Sequence, residues 1–232
     1  MKISEQIAFV TGANRGLGRH LALELLSRGA KVYAGVRNPE SLDIPGVIPV
    51  KLDITNPQEV AAAAMTAKDV TLLINNAGSS TGASLLDGDL DKIQLEFNTH
   101  FFGTLSMVRA FAPVISNNGG GSILNILSAL SWFSMGSAGA YTAAKAAEWA
   151  LTNELRLNLY PQKVRVAGLH VGFMETDMTA GIEAPKVDPA GVAKMAINGI
   201  ESDSFEILAD ESSRNLQKAL SGGVAALYPQ LA

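Results

Sequence analysis

The 232-residue sequence contains no cysteine. Disulfide bonds and metal sites built on thiolates are therefore excluded. Its three histidines, His20, His100 and His170, lack the spacing of metal ligands. We expect them to be packing or surface residues, and we expect no catalytic metal.

Charged residues are scarce and are not clustered. They make up 17% of the chain, the formal net charge is −4, and we expect no nucleic-acid partner because there is no basic run. No apolar run reaches the length of a membrane-spanning helix, and the first residues lead into a strand-like segment without a signal-peptide core. These absences predict a soluble, cytoplasmic protein without a membrane partner.

What the sequence does contain is a regular alternation of β-rich and helical segments. The β-rich segments cover residues 7–11, 31–36, 47–52, 70–75, 122–127, 163–170 and 205–209. Several are continuously apolar, as expected for parallel strands covered on both faces. The pattern predicts an α/β fold: a single doubly wound Rossmann domain spanning residues 1–232, with a seven-stranded, mainly parallel sheet flanked by helices.

A glycine-rich turn follows the first predicted strand. Gly12, Gly16 and Gly18 form a Gly-x-x-x-Gly-x-Gly pattern, and leucines at helical spacing come after it. Glycines at such a turn let the backbone approach a ligand closely, and the helix N-terminus attracts a phosphate. Helix caps also use glycine, but the strand–turn–helix context favours a dinucleotide site.

The end of the second predicted strand indicates which dinucleotide is bound. A carboxylate there would accept hydrogen bonds from the ribose hydroxyls, but this chain has Val36 followed by Arg37, with Arg15 in the glycine turn. Two guanidinium groups suit a 2′-phosphate, so we expect NADP(H) rather than NAD. The alternative is that both arginines are solvated surface residues.

Ser128, Tyr141 and Lys145 are candidate catalytic residues. Tyr141 and Lys145 are four residues apart on a predicted helix, so they share a face. An ammonium near a phenol favours the phenolate, and we expect the pKa of Tyr141 to be lowered toward working pH. Ser128 ends a predicted strand and either hydrogen-bonds the same substrate oxygen or merely caps that strand. A Tyr–Lys pair at this spacing also occurs by chance.

Together these motifs resemble those of the short-chain dehydrogenases/reductases, over essentially the whole chain and in the same order. The resemblance assigns Asn98, Ser128, Tyr141 and Lys145 to a catalytic tetrad, although Asn98 could instead be a helix-kink residue. It also implies a set of cofactor contacts: Gly12, Asn14, Arg15, Gly16, Leu17, Gly18, Arg37, Asp53, Ile54, Asn76, Ala77, Gly78, Tyr141, Lys145, Gly172 and Thr176. The family usually has Pro before this last glycine, and Val171 leaves that backbone less constrained.

The resemblance implies an oxidoreductase that transfers a hydride from NADPH to a ketone or aldehyde. Tyr141 would donate the proton, Ser128 would hydrogen-bond the oxygen, and Asn98 would orient a water linking Lys145 to bulk solvent. The expected substrate pocket is mostly apolar: Ser128, Trp132, Phe133, Met135, Phe173 and Met174, with the 79–81 loop. Trp132 or Phe133 could instead be a core or interface residue.

The segment of about 173–187 is short for a lid, so we expect an open site that accepts a bulky carbonyl or alcohol substrate. The resemblance further implies a homodimer or homotetramer. Two other enzyme functions remain: an alcohol dehydrogenase working in the oxidative direction, and a reductase of carrier-linked acyl groups. A cofactor-sensing binding module without catalysis is the alternative from a different class.

Overall fold

Within residues 1–231, which the computed structural model describes, seven strands form one parallel sheet in the order β3-β2-β1-β4-β5-β6-β7. The strands are β1 (Ile7–Thr11), β2 (Lys31–Val36), β3 (Ile48–Lys51), β4 (Leu72–Asn75), β5 (Gly121–Ile126), β6 (Val164–His170) and β7 (Glu206–Leu208). Each lies within two residues of its predicted bounds. The predicted single Rossmann domain is confirmed, and the sheet is parallel throughout these strands.

Helices connect the strands and cover both faces of the sheet. They are α1 (Gly16–Ser27), α2 (Pro57–Thr66), α3 (Leu90–Phe97), α4 (Thr104–Asn117), α5 (Gly139–Leu159), α6 (Pro189–Glu201), α7 (Glu211–Ala219) and α8 (Gly223–Leu227). Asn56 caps α2 and Asp188 caps α6, and each is followed by a proline at the first helical position. Proline is favoured there because its missing N–H would have no partner within the helix.

Two apolar layers sandwich the sheet, and β1 shows how the sequence divides between them. Val10 points into the layer that contains Leu21 of α1 and Ile197 of α6. Phe9 points into the opposite layer and packs against Phe111 of α4, with ring centroids 4.8 Å apart. Successive strand residues face opposite sides, so a strand with apolar residues at every position needs helices on both faces.

The region from Leu90 to Pro113 is helical, but it is not one regular helix. Residues Asn98–Gly103 form a π-helical turn between α3 and α4. A π turn widens the helix and changes which side chains point inward after it. This irregularity decides which residue of the segment reaches the candidate site.

The segment predicted as a short substrate loop, 173–187, closes on itself by backbone hydrogen bonds. The Val187 N–H donates to the Phe173 carbonyl at 2.9 Å, and the Glu175 N–H donates to the Val187 carbonyl at 3.0 Å. Among residues 1–231, no helix is both long and apolar enough to cross a lipid bilayer. The structure is of a single chain, so the homodimer or homotetramer stays a prediction.

Candidate active site

The candidate residues meet along the edge of the sheet where the strands end. β1 ends at Thr11, β4 at Asn75 and β5 at Ile126, and these strands are direct neighbours. Strands β2 and β3 extend the sheet on one side of β1, and strands β4 to β7 extend it on the other side. Ligands of such folds bind in the crevice at this switch point.

Side chains are disfavoured in the glycine turn after β1, by the backbone angles at two positions and by lack of space at a third. Gly12 and Gly16 have positive φ angles of +66° and +52°, a region that favours glycine. A Cβ on Gly18 would collide with the Gly12 carbonyl oxygen and lie 2.5 Å from Asn76 Nδ2. The turn is therefore a cradle that exists only because these residues lack side chains.

The start of α1 is suited to an anion. Within the described residues no side chain caps its first turn, and that turn contains no acidic residue. Its N–H groups and the positive end of the helix dipole therefore face the cradle. Because glycines also allow close approach of the backbone, this turn fits the diphosphate of a dinucleotide.

The Asn-Asn-Ala-Gly motif after β4 fastens the turn in place. Asn76 Nδ2 donates to the Thr11 carbonyl at 2.9 Å and to the Gly12 carbonyl at 3.3 Å. The Asn76 and Ala77 N–H groups both donate to Thr11 Oγ1 at 2.9 Å. The side chain of Asn76 is thus committed to the protein backbone, where it holds the cradle.

Other predicted cofactor residues lie around this cradle with different exposures. Asn14, Arg15 and Arg37 are exposed, whereas Leu17 and Ile54 have buried side chains. Thr176 comes from the distant 173–187 segment, and its methyl group would lie 3.4 Å from a Cβ on Gly16. Because the side chain of Leu17 is buried, Leu17 can contact a ligand only through its backbone.

The two predicted phosphate-binding arginines have acidic neighbours. Arg15 forms an exposed ion pair of 3.2 Å with Asp177. Partial burial opposes ionisation of Asp53, but hydrogen bonds from Thr55 and the nearby Arg37 hold the pKa of Asp53 below its usual value. Arg37 therefore stands beside the end of β3.

Ser128, Tyr141 and Lys145 are brought together as predicted. The Lys145 Nζ lies 5.9 Å from the centre of the Tyr141 ring and donates to the Ile126 carbonyl at 2.7 Å. Ser128 Oγ accepts from the Leu130 N–H at 3.1 Å, so Ser128 does cap the turn after β5. Ser128 also acts on Tyr141, where it favours the lower pKa.

The protonation of Tyr141 differs from the prediction. Burial raises the pKa of Tyr141, and Lys145 and Ser128 offset that effect only in part. Lys145 also forms a 2.7 Å ion pair with Glu148, a buried carboxylate one helical turn further along α5. The prediction that Lys145 lowers the pKa of Tyr141 below its ordinary value was wrong for the net effect, because spacing does not reveal burial and because Glu148, at i+3 from Lys145, supplies a counter-ion.

Asn98 is not part of the constellation. Its side chain is exposed, whereas the imidazole of His100 is buried and meets the Tyr141 ring edge-on, with centroids 5.2 Å apart. The π-helical turn from Asn98 to Gly103 presents His100 to the site. The geometry therefore corrects the expected role of Asn98 as a catalytic residue. The burial of His100 agrees with its expected packing role and adds a contact with Tyr141.

Known proteins share this sequence pattern and this fold. A sequence model of the short chain dehydrogenases matches residues 6–186. The chain belongs to the short-chain dehydrogenase/reductase family. A curated relative, an uncharacterized oxidoreductase of Staphylococcus aureus strain MW2, is 29% identical over 218 residues, covering 87% of this chain and 94% of the relative.

Solved structures of this family superpose along the whole dehydrogenase. A short chain dehydrogenase from Burkholderia cenocepacia J2315, in complex with NADP, is 39% identical with a TM-score of 0.95, covering 100% of this chain and 99% of that one. A family member from Burkholderia phymatum, in complex with NAD, is 23% identical with a TM-score of 0.86 and covers 95% and 96%; this likeness concerns the fold. The dehydrogenase is thus an oxidoreductase whose fold binds a nicotinamide cofactor.

Trp132 of the dehydrogenase packs behind Ser128. Its indole stacks on His170 with centroids 3.7 Å apart and meets Trp149 edge-on. His170 Nδ1 lies 3.1 Å from the Ser128 carbonyl, and its Nε2 lies 3.0 Å from the Glu206 carboxylate. Trp132 thus supports the segment that carries Ser128, which favours the core alternative for this residue.

Glu206 connects this support to a second helix. It forms a 2.8 Å ion pair with Arg156 of α5. Burial disfavours the charged carboxylate, but His170 and Arg156 outweigh it and hold the pKa of Glu206 below its usual value. The segment that carries Ser128 is therefore linked through His170 to Glu206 of β7, and from Glu206 to Arg156 of α5.

The C-terminal segment contributes a contact that the sequence did not indicate. The Tyr228 ring stacks on Phe133 with centroids 5.1 Å apart, and the Ser134 N–H donates to the Tyr228 hydroxyl at 2.9 Å. Met135 is exposed, and Phe173 and Met174 are half-buried. Nearly 100 residues separate the two rings, and no local pattern predicts such a pair.

The backbone at Val171–Gly172 has its own restraint in the absence of the usual proline. The Gly172 N–H donates to Asp210 Oδ2 at 2.5 Å, and the other Asp210 oxygen caps α7 through the Ser213 N–H at 2.7 Å. The buried Val171 carbonyl accepts from the Ala129 N–H at 2.9 Å. Within residues 1–231, no group of three or more His, Asp or Glu side chains is arranged to hold a metal ion.

Proposed function

We propose that this dehydrogenase is an NADPH-dependent carbonyl reductase that converts an uncharged, fairly hydrophobic ketone or aldehyde into an alcohol. The observation that carries the proposal is the Tyr141 phenol beside Ser128 and Lys145 in a setting that raises its pKa. A protonated phenol is a proton donor, and carbonyl reduction requires one. Retention of all three side chains in one place argues against a non-catalytic sensing module.

In this proposal the hydride comes from the bound nicotinamide cofactor. Tyr141 transfers its hydroxyl proton to the carbonyl oxygen, and Ser128 donates a hydrogen bond to that oxygen as negative charge develops. Because Ser128 Oγ accepts from the Leu130 N–H, its own hydrogen is free to be donated. Lys145 stays protonated beside Tyr141, since Glu148 outweighs the effect of burial and raises the pKa of Lys145.

The substrate class is inferred from two segments that follow strand ends. Phe133 and Met135 come after Ser128 in the chain, Phe173 and Met174 follow β6, and the segments 132–135 and 173–174 contain no Arg or Lys. A carboxylate or phosphate on the substrate would lack a cationic partner in these segments. An apolar ketone or aldehyde would replace water there at a gain in free energy.

A panel of carbonyl compounds tests the proposed function. With NADPH in excess, we expect bulky aryl ketones and aldehydes to be reduced with a kcat/KM about tenfold or more above that of small aliphatic ketones, since one methylene in an apolar pocket is worth about 1–3 kcal/mol. Keto acids serve as the charged control and should be poor substrates. A ranking that favours small aliphatic ketones would contradict the open, apolar site.

Cofactor preference tests the role of the arginines. We expect NADPH to be preferred over NADH, and Arg37→Ala to weaken NADPH binding by about 10- to 100-fold, because a charge-assisted hydrogen bond is worth about 1.5–3 kcal/mol. NADH binding should change little. Dissociation constants from fluorescence titration would measure both.

Arg109→Ala is the matched control for Arg37→Ala, because Arg109 is also exposed but lies on α4. It should alter neither affinity. If Arg37→Ala weakened the binding of NADPH and of NADH equally, Arg37 would not be binding the 2′-phosphate. A wild-type preference for NADH would instead support the oxidative alcohol dehydrogenase.

A further inference from the structure

A cluster of buried ionisable side chains lies next to Tyr141, and the steps above involve only Glu148, as the partner of Lys145. Glu96, His100 and Glu148 are 0%, 1% and 2% exposed, respectively. They come from three separate elements: α3, the π-helical turn and α5. Buried charges are costly unless they are paired, so their retention beside the reacting phenol calls for a function.

Glu148 is the member of the cluster that touches the catalytic pair. Its Oε2 accepts from Lys145 Nζ at 2.7 Å, and its Oε1 accepts from the Thr104 hydroxyl of α4 at 2.9 Å. The Nδ1 of His100 lies 3.9 Å from the same Oε2. Among the described residues, Glu148 is therefore faced by one cation, one hydroxyl, one imidazole and the Tyr141 phenol.

His100 separates Glu148 from a second carboxylate. Its Nε2 lies 2.9 Å from the Ser79 carbonyl oxygen, 3.3 Å from Glu96 Oε2 and 3.3 Å from the Ser79 backbone nitrogen. Burial opposes ionisation of Glu96, but His100, Thr81 and Ser79 together hold the pKa of Glu96 below its usual value. Two carboxylates, Glu96 and Glu148, therefore flank His100. Of these two, Glu148 forms the ion pair with Lys145.

The arrangement changes what Lys145 does to Tyr141. An ammonium beside a phenol favours the phenolate, but a carboxylate in contact with that ammonium cancels much of its field. Glu148 also acts on the phenol directly and favours its neutral form, as does Glu96 from further away. Glu148 therefore reduces the effect of the Lys145 charge on the pKa of Tyr141.

We propose that Glu148 is a positioning residue that offsets the charge of Lys145 and keeps Tyr141 in its proton-donating form near neutral pH. The inference rests on the proposed function for the role of Tyr141 as the acid in carbonyl reduction. Reduction needs the phenol, whereas oxidation needs the phenolate to accept the proton from the alcohol. The pKa of Tyr141, raised by burial and by Glu148, agrees with this role.

The decisive variant is Glu148→Gln, which removes the charge and keeps the shape. We expect the pKa of Tyr141 to fall by about one unit or more, as is typical when a neighbouring charge is changed. The alkaline limb of the reduction profile should move to lower pH by the same amount.

Two further variants separate charge from structure. Glu148→Asp keeps the charge and should keep the wild-type pH profile. Thr104→Val removes the hydrogen bond to Glu148 but leaves its carboxylate on Lys145, so the profile should also stay in place. If all three variants moved the pH profile equally, Glu148 would have only a structural role and the proposal would be overturned.

Titration of the tyrosine itself requires no substrate. The chain has four tyrosines, so the difference in phenolate absorbance between each protein and its Tyr141→Phe counterpart isolates Tyr141. We expect a wild-type pKa at or above the ordinary 10.0 of a free phenol. A wild-type value below 10.0 would overturn the proposal even if Glu148→Gln failed to fold.

The same titration distinguishes this proposal from the proposed function. If no carbonyl compound is reduced but Glu148→Gln lowers the pKa of Tyr141, the carbonyl reductase assignment fails and the effect of Glu148 on the phenol stands. If carbonyls are reduced with NADPH and Glu148→Gln leaves both the pKa and the pH profiles unchanged, the reductase assignment stands and the role of Glu148 is refuted.

Discussion

Tyr141→Phe is expected to lower the kcat of carbonyl reduction by about 10²- to 10⁴-fold, the usual contribution of a positioned general acid. The substitution removes the hydroxyl that gives the proton and retains the ring that meets His100 edge-on at 5.2 Å. The fold and the cradle for the cofactor should therefore persist. Steady-state kinetics and an NADPH titration would show a loss of turnover with the dissociation constant for NADPH nearly unchanged.

Tyr160→Phe provides the control for this prediction. Tyr160 is exposed and follows the C-terminal end of α5, so removing its hydroxyl should leave kcat unchanged. Loss of NADPH binding in Tyr141→Phe would contradict the assigned role, because the phenol would then hold the cofactor rather than supply the proton. Retention of wild-type turnover would show that another group protonates the substrate.

Gly18→Ala is expected to weaken NADPH binding by more than about tenfold and to lower the free energy of unfolding by about 1–3 kcal/mol, the usual range for overpacking. The new methyl group would collide with the Gly12 carbonyl and crowd Asn76 Nδ2. Relief requires the turn and Asn76 to separate, which breaks the bonds that fasten the cradle. Fluorescence titration and chemical denaturation would measure both losses.

Gly191→Ala is the matched control, because Gly191 also lies in the first turn of a helix. A Cβ there would meet only Asp188 Oδ2 at 3.6 Å, an ordinary contact. Alanine is a better helix former than glycine, so this variant should bind NADPH normally and be as stable as wild type or slightly more stable. Equal losses in both variants would mean that close packing at Gly18 is not what shapes the cradle.

Much of the fold was predictable because its causes are local. Continuous apolar runs such as 70–75 require cover on both faces, and alternation with helices requires parallel strands. The glycine turn was predictable because glycine adopts the positive φ angles seen at Gly12 and Gly16 without steric cost. The Tyr141–Lys145 pair was predictable from the i to i+4 spacing of a helix.

Asn98 shows where local reasoning fails. Its residue type matched the expected tetrad, but a side chain reaches a site only if the helix turns it inward. The π-helical turn at Asn98–Gly103 directs Asn98 to solvent and His100 to Tyr141. The exposure of one and the burial of the other depend on how α3, α4 and α5 pack together.

The sequence by itself determined the seven-stranded parallel sheet, the glycine cradle and the proximity of Ser128, Tyr141 and Lys145, because each follows from spacing, apolar pattern or backbone freedom. Only the tertiary structure decided the charge balance of the site. Glu148 meets Lys145 on one helix, but Thr104, His100 and Glu96 reach the same buried space from other elements. Burial and long-range charges set the pKa of Tyr141, and neither can be read from spacing along the chain.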